Sequence, residues 1–268
     1  MSFEIIRSII PQRALTLSHS PLSHSLVIKP VTDTACCKIC QGHATLYGVT
    51  DFNTACYANN ANHYVYPLTG VAIYYHQCQQ CGLIYTHALD DWRPADYQQH
   101  IYNEDYAQFD PNYEINRPLK NRDFILQLFK RYHGSKMLDY GGGSGTLAKL
   151  MREEGIDMIA WDPFIAGDYP ETAAYDFITC FEVLEHTPDP HQTVAEITRF
   201  LKKGGVFYFS TGTHDSVSHQ GMNNWYIAPR NGHITLYSEA SLNTLFTAHG
   251  YQITHLNEWY HVAMKMRD

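Results

Sequence analysis

Two groups of residues in this sequence have the types and spacing to do chemistry. Cys37-x-x-Cys40 and Cys78-x-x-Cys81, the second followed by Gly82, form two thiolate knuckles. Four thiolates complete a tetrahedral zinc site with no open position for water, so such an ion would hold structure and would not catalyse. Cys36 could replace Cys37 by a one-residue shift, and Cys56 reads as a spare core thiol. The second group is Asp139-Tyr140-Gly141-Gly142-Gly143-Ser144-Gly145-Thr146. Glycines between a strand and a helix let unpaired backbone N–H groups approach a ligand, as in nucleotide cradles. Thr146 stands where the dinucleotide pattern would have its third glycine, which favours a nucleoside without a pyrophosphate. Asp162 follows about twenty residues later, where an acid in an open α/β fold can accept both hydroxyls of a ribose.

These groups need elements to position them. Residues 136–140, 157–161 and 177–181 read as short strands, 146–154 and 189–201 as helices, and 206–209 as a further strand. Gly204 and Gly205 are read as ending the second of these helices. Pro118 opens an earlier helix carrying Phe124, Ile125, Leu128 and Phe129 at helical spacing. Residues 238–248 make a helix closed by Gly250, and 252–256 and 261–265 pair as a hairpin around Asn257 and Glu258. Repeated strand–helix alternation predicts an α/β fold: a Rossmann-like, mostly parallel sheet with a terminal antiparallel hairpin, plus a small N-terminal zinc-ribbon-like domain. The expected organisation is an extended arm over 1–35, a zinc-binding domain over 36–90, a Tyr- and Asp-rich connector or lid over 91–117, and the catalytic domain over 118–268. Tyr102, Tyr106 and Tyr113 in the connector are read as packing it against the catalytic domain in preference to forming an aromatic lid.

The glycine loop and Asp162 resemble those of class I S-adenosylmethionine-dependent methyltransferases. The run from Tyr175 through Phe181-Glu182-Val183-Leu184-Glu185-His186-Thr187-Pro188-Asp189-Pro190 resembles the fourth-strand motif of ubiquinone-biosynthesis-type O-methyltransferases. The resemblance continues through Leu201-Lys202-Lys203-Gly204-Gly205 and then residues 233–250. It implies S-adenosylmethionine as cofactor, with Asp139, Gly141, Gly143 and Gly145 around its methionine and ribose portions. Asp162 would take the ribose hydroxyls, and Phe181 and Glu182 would lie near the reacting end. Thirteen residues separate Asp162 from Asp176, too few for the usual helix and third strand. One strand and one helix are therefore expected to be missing, with Asp168 left as a weak adenine-side acid. A zinc-binding segment ahead of such a domain is similar to the arrangement in bacterial sugar C-methyltransferases, in which it helps to bind the acceptor.

Methyl transfer requires alignment and usually removal of a proton. His186 follows the fourth strand at the carboxyl edge of the sheet, and His233 precedes Ile234-Thr235-Leu236-Tyr237; both are candidate bases, with Tyr237 as a helper. Arg117, Trp225 and Arg230 lie in segments able to line the acceptor pocket but are read in preference as exposed loop residues. The chain has 268 residues and a net charge of −8, which gives no electrostatic reason to expect nucleic acid. No stretch approaches a membrane span and residues 1–30 lack a secretory pattern, so a cytoplasmic enzyme acting on a small-molecule or glycan-type oxygen or carbon is expected. The rivals are a catalytically degenerate zinc scaffold, suggested by the shortened segment after Asp162, and a nicotinamide-dependent oxidoreductase, disfavoured by the missing third glycine.

Overall fold

The computed structural model describes residues 28, 34–56, 66–128, 134–165, 167–214 and 218–266. The arm expected over 1–35 lies outside the described residues except at positions 28, 34 and 35.

Eleven strands and six α-helices are described. They are β1 (Thr34–Cys36), β2 (His43–Asp51), β3 (Ala72–Cys78), β4 (Ile84–Tyr85), α1 (Pro94–His100), α2 (Tyr106–Phe109), α3 (Asn116–Leu128), β5 (Met137–Tyr140), α4 (Thr146–Glu153), β6 (Met158–Trp161), β7 (Tyr175–Phe181), α5 (Pro190–Phe200), β8 (Leu201–Ser210), β9 (Thr235–Leu236), α6 (Glu239–Ala248), β10 (Tyr251–His255) and β11 (Tyr260–Lys265).

Strands β5 to β8, β10 and β11 form a six-stranded sheet in the order β10-β11-β8-β7-β5-β6. The β6, β5, β7 and β8 pairings are parallel, while β11 runs antiparallel to both β8 and β10. This is the Rossmann-like sheet with its terminal hairpin. Alternation along the strands divides the core between its two faces. Met137, Phe177, Val206 and Tyr208 face Ile125 of α3 and Leu147, Ala148 and Met151 of α4. Leu138, Ile178, Phe207 and Phe209 face Val194, Ile197 and Phe200 of α5 and Leu242, Leu245 and Phe246 of α6. Among the described residues the chain passes from β6 to β7 with no strand or helix between them, and β6 is the last strand of the sheet, as expected from the short spacing. An aromatic cluster of Tyr140, Trp161, Tyr169 and Phe200 occupies that corner. Glu196 ties it together by accepting hydrogen bonds from Tyr140 at 2.5 Å and Tyr169 at 2.6 Å.

The reading of Gly204 and Gly205 as a helix stop is corrected. Helix α5 ends at Phe200 because Leu201 already pairs with Tyr175, and the glycines fall inside β8 where its register slips against β7. Gly204 has φ +71°, the local conformation that allows this irregularity. The α3 helix likewise starts at Asn116, two residues before the Pro118 taken as its opening.

The N-terminal strands form a second sheet in the order β1-β2-β3-β4-β9, whose last member comes from far along the chain. Ile84 pairs with Leu236 and Tyr85 with Thr235. Cys37, Cys78, Cys81 and Tyr85 share one apolar cluster with the α5 and α6 face of the large sheet. The two sheets are therefore continuous through a common core.

A candidate methyl-transfer site beside a four-cysteine cluster

Strand β5 lies where the strand order reverses, between β6 on one side and β7 on the other; open α/β sheets bind ligands beyond the carboxyl ends of strands at such a point. The glycine loop leaves β5 there. Gly141 has φ +72°, and a Cβ on it would meet Val183 Cγ2 at 2.4 Å, so no other residue fits without movement. Gly143 has φ +53° and open space where its Cβ would lie, and its N–H donates to Asp162 Oδ2 at 3.0 Å. The other Asp162 oxygen accepts from the Phe164 N–H at 2.8 Å. Gly145 supplies the left-handed N-cap of α4. Asp139 lies buried beneath the loop, where Thr179 Oγ1 donates to it at 2.6 Å. Burial pushes the Asp139 carboxyl up to about 7. The cradle thus has the close backbone approach, the strand-end acid and the unfilled space that a nucleoside needs.

Strand β7 delivers the residues on the other side of the crevice. Phe181 packs edge-on to Tyr208 at 5.2 Å. Glu182 adopts φ 54°, uncommon outside glycine and often found where a site needs a side chain aimed in one direction. Its N–H donates to Ser210 Oγ at 3.1 Å, and Ser210 Oγ donates to Glu182 Oε1 at 2.8 Å.

One 3-10 turn further on, Glu185 is fully buried. Tyr226 donates its hydroxyl to Glu185 Oε1 at 2.7 Å, while Oε2 has no hydrogen-bond partner. Burial, followed by the Glu182 charge, pushes the Glu185 carboxyl up to about 8. The His186 and His233 rings meet edge to face at 4.9 Å. Burial holds His233 down to about 4, and burial together with His233 holds His186 well below the usual range, which favours the uncharged form of each ring. His186 Nδ1 is buried without a partner. One ligand atom each from Glu185, His186 and His233 can be chosen so that all lie within 4.8 Å of one another, a set able to hold a divalent cation.

The connector packs against these residues. Tyr102 packs against Phe164, His186 and Tyr106, and Tyr106 in turn against Tyr113. Arg117 forms a bidentate pair with Asp110 at 2.9 and 3.0 Å. Arg230 is only 4% exposed, contrary to its reading as a loop residue in solvent. Its guanidinium stands 3.9 Å over the Phe109 ring and donates to Ile101 O at 3.1 Å, which ties the connector to the segment before His233. Trp225 is half-buried against Trp259, and Arg117 is half-buried as well.

Of the residues singled out from sequence, Asp139, Gly141, Gly143, Gly145, Asp162, Phe181, Glu182, His186 and His233 meet along this edge. Tyr237 does not. It is fully buried in the core behind the site and donates its hydroxyl to Leu184 O at 3.1 Å. Asp168 is exposed. Cys56 is no spare core thiol, because its Sγ lies 3.5 Å from His233 Nδ1. Sequence reasoning passed over Glu185, which stands in the 3-10 turn Leu184–His186 just after the strand that delivers Glu182. No local pattern marks Tyr226.

At the far end of the N-terminal sheet, Cys37, Cys40, Cys78 and Cys81 converge with their sulfur atoms within 4.8 Å of one another. The Cys37–Cys81 and Cys40–Cys78 separations are 3.6 and 3.4 Å, near the roughly 3.8 Å edge of a zinc–thiolate tetrahedron. Backbone N–H groups of Ile39, Gln80 and Cys81 point at Cys37 and Cys78 sulfur at 3.4 Å, which favours thiolates. The side-chain hydrogen bond with Cys81 pulls the Cys37 thiol down to about 5. Cys36 is exposed and stands outside the cluster. Four sulfur donors on two knuckles fit a zinc ion.

The sheet order, the glycine cradle and the strand-end acid together define a Rossmann-like nucleoside-binding enzyme fold. The family model for a methyltransferase domain matches residues 113–256, just over half of the chain, and the chain belongs to that family. Among curated proteins it is similar to the ubiquinone biosynthesis O-methyltransferase of Aliivibrio fischeri, 33% identical over 132 aligned residues that cover 39% of this chain and 55% of the relative. The enzyme of the same description from Photorhabdus laumondii is 34% identical over 132 residues, covering 39% and 53%. The chain spans about half the length of the curated relatives it matches. Among solved structures, 1,6-didemethyltoxoflavin-N1-methyltransferase of Burkholderia thailandensis aligns at a TM-score of 0.45 and 16% identity, covering 64% of this chain and 84% of that one.

Proposed function

We propose that the protein moves the methyl group of S-adenosylmethionine to a hydroxyl oxygen of a small molecule, with His233 taking the acceptor proton. The observation that carries this reading is the meeting of a buried histidine pair with the cradle at one sheet edge, joined through Tyr102, which packs on His186 and on Phe164 beside Asp162. Bound S-adenosylmethionine supplies an electrophilic methyl carbon on a sulfonium. Asp162 would hold the ribose, and Asp139 and the loop amides the rest of the cofactor. The acceptor O–H gives its proton to His233 as its oxygen bonds to the methyl carbon and the carbon–sulfur bond breaks. The connector and its tyrosines keep water from the reacting atoms. Oxygen is preferred over carbon and over glycan-type acceptors because the curated relatives are O-methyltransferases. The net charge of −8 supports a small acceptor over nucleic acid, and among the described residues no helix is long and apolar enough to cross a membrane.

A second reading of the same chamber is favoured by the two unpartnered atoms, Glu185 Oε2 and His186 Nδ1. A divalent cation held by Glu185, His186 and His233 would polarise the acceptor hydroxyl. At Cys37, Cys40, Cys78 and Cys81 the ion we propose is structural zinc. Residues 36–90 then form the zinc-binding unit, 91–117 the connector and 118–268 the catalytic unit.

The test is calorimetric titration with S-adenosylmethionine, S-adenosylhomocysteine and NAD, followed by methyl-transfer assays with catechol as the first acceptor. Binding of the first two ligands without NAD supports the reading, and no binding of either moves a zinc-supported scaffold into first place. His233→Gln is expected to lower catechol methylation by about 10²–10⁴-fold, the usual worth of a general base, while leaving S-adenosylmethionine affinity unchanged. Full activity after removal of divalent cations from the chamber would eliminate the cation reading.

A further inference from the structure

We infer that the N-terminal sheet helps the Tyr226 carbonyl to fix the tautomer and aim of His233, with Cys56 and Tyr75 as the positioning residues. This rests on the reading that the His233 Nε2 lone pair serves the reaction.

An imidazole can turn over about its side-chain bond and can carry its proton on either nitrogen, so a base that must present one lone pair needs both choices fixed. His233 Nδ1 lies 3.0 Å from the Tyr226 carbonyl oxygen. A carbonyl only accepts, so Nδ1 carries the proton and Nε2 keeps its lone pair, with the Cys56 sulfur 4.0 Å from it. Cys56 Sγ sits 3.5 Å from the same Nδ1 and shares that proton from a second side. The backbone is pinned separately: Tyr75 of β3, fully buried, donates its hydroxyl to the His233 carbonyl at 2.6 Å.

Both contacts come from the N-terminal sheet and its following loop, and both are anchored. The Cys56 N–H donates to Asn231 Oδ1 at 2.8 Å, and Asn231 Nδ2 donates to Phe109 O at 3.2 Å. The residues after His233 continue as β9 alongside β4, and the Thr86 N–H donates to Ile234 O at 2.9 Å. Strand β4 in turn leaves the second cysteine knuckle, where Ser238 Oγ donates to Cys81 O at 2.5 Å and His214 Nε2 faces Gly82 O at 2.6 Å. A continuous run of hydrogen-bonded backbone therefore joins the four-cysteine cluster to His233.

The test uses the zinc-loaded full chain labelled with ¹⁵N-histidine. Long-range ¹H–¹⁵N correlation near neutral pH is expected to show His233 in the Nδ1–H form, its signal assigned by loss in His233→Gln. Tyr75→Phe and Cys56→Ala should each move that signal toward a mixture of tautomers. Each should also lower kcat for catechol by about tenfold, the worth of one orienting hydrogen bond, with KM within about twofold. Cys56→Ser, whose oxygen also accepts, should restore both readouts, with zinc content unchanged in every variant. An Nε2–H form in the wild-type protein overturns the inference without recourse to any variant. So does an unmoved tautomer in both substituted proteins. If His233→Gln keeps its activity while wild-type His233 is Nδ1–H, the base assignment fails and the positioning stands.

Discussion

Gly141→Ala tests whether the cradle is shaped by the strand that follows it. The new methyl would carry two separate penalties. At φ +72° an L-residue is left-handed, which costs about 1–2 kcal/mol. The added Cβ would lie 2.4 Å from Val183 Cγ2 and 3.3 Å from Cγ1, inside contact distance, and overpacking of this kind costs about 1–3 kcal/mol. The sum is a loss of about 2–5 kcal/mol, read by urea unfolding of the ligand-free protein. The two parts separate in a double-mutant cycle. Val183→Ala removes the clashing methyls but leaves the backbone conformation, so the doubly substituted protein should recover about 1–3 kcal/mol relative to additivity and retain the conformational part. A loss below about 0.5 kcal/mol for the single variant, against the range just given, would refute the contact itself. A full loss with no coupling to Val183 would leave backbone strain as its sole cause.

Three further outcomes follow from the same geometry. Asp139 is buried with its carboxyl raised from 3.8 to about 7, so the folded protein binds a proton there that the unfolded chain releases. Its contribution is fully present below about pH 4 and is lost as pH rises toward about 7, so wild-type stability relative to Asp139→Asn should fall across that window in paired urea titrations. A flat difference would contradict the burial. Asp162→Ala should weaken S-adenosylmethionine binding by about tenfold or more in calorimetry, since one charge-assisted hydrogen bond to a ribose is worth about 1.5–3 kcal/mol. Cys78→Ser should lower zinc content and the thermal midpoint together, because the ion's binding energy is folding energy for a sheet this small; an unchanged midpoint with zinc lost would show the sheet standing without it.

What the sequence made legible was local in origin. The glycine loop, β5 to β7 and the terminal hairpin announce themselves through alternation and turn residues within windows of about ten residues. The cysteine pairs do so through ligand spacing, and the missing third strand through the thirteen residues between Asp162 and Asp176. Gly204 and Gly205 were misread because a glycine pair after a helical pattern fits a C-cap and a strand irregularity equally well. Only the pairing of Leu201 with Tyr175 decides between them. Cys56 and Arg230 were beyond reach for another reason. The Cys56 N–H finds its acceptor 175 residues along the chain, and Arg230 finds the Ile101 carbonyl 129 residues back. Such contacts exist only once the N-terminal sheet has folded over the carboxyl edge of the large one.

That folding over also explains how a sheet lacking a strand keeps an enclosed site. With β6 at the edge, the turn carrying Asp162 would lie open to water on the side where another strand and helix commonly stand. Instead Gln98 of α1 donates to Phe164 O at 3.0 Å, and Tyr97 and Tyr102 lay their rings against Phe164. The edge itself is blunted, since Arg152 Nη1 donates to Met158 O at 2.7 Å and so occupies a backbone acceptor that another chain could pair with. The walls removed from the sheet are thus replaced by the connector, and the connector is fixed through Arg230 and Asn231 to the segment that bears His233. The four-cysteine unit reaches the same edge, where Tyr75 donates to the His233 carbonyl at 2.6 Å and the Cys56 N–H donates to Asn231 Oδ1 at 2.8 Å. A unit that merely accompanied the catalytic one would need neither bond, and the two argue that the four-cysteine unit is part of the wall of the reaction site.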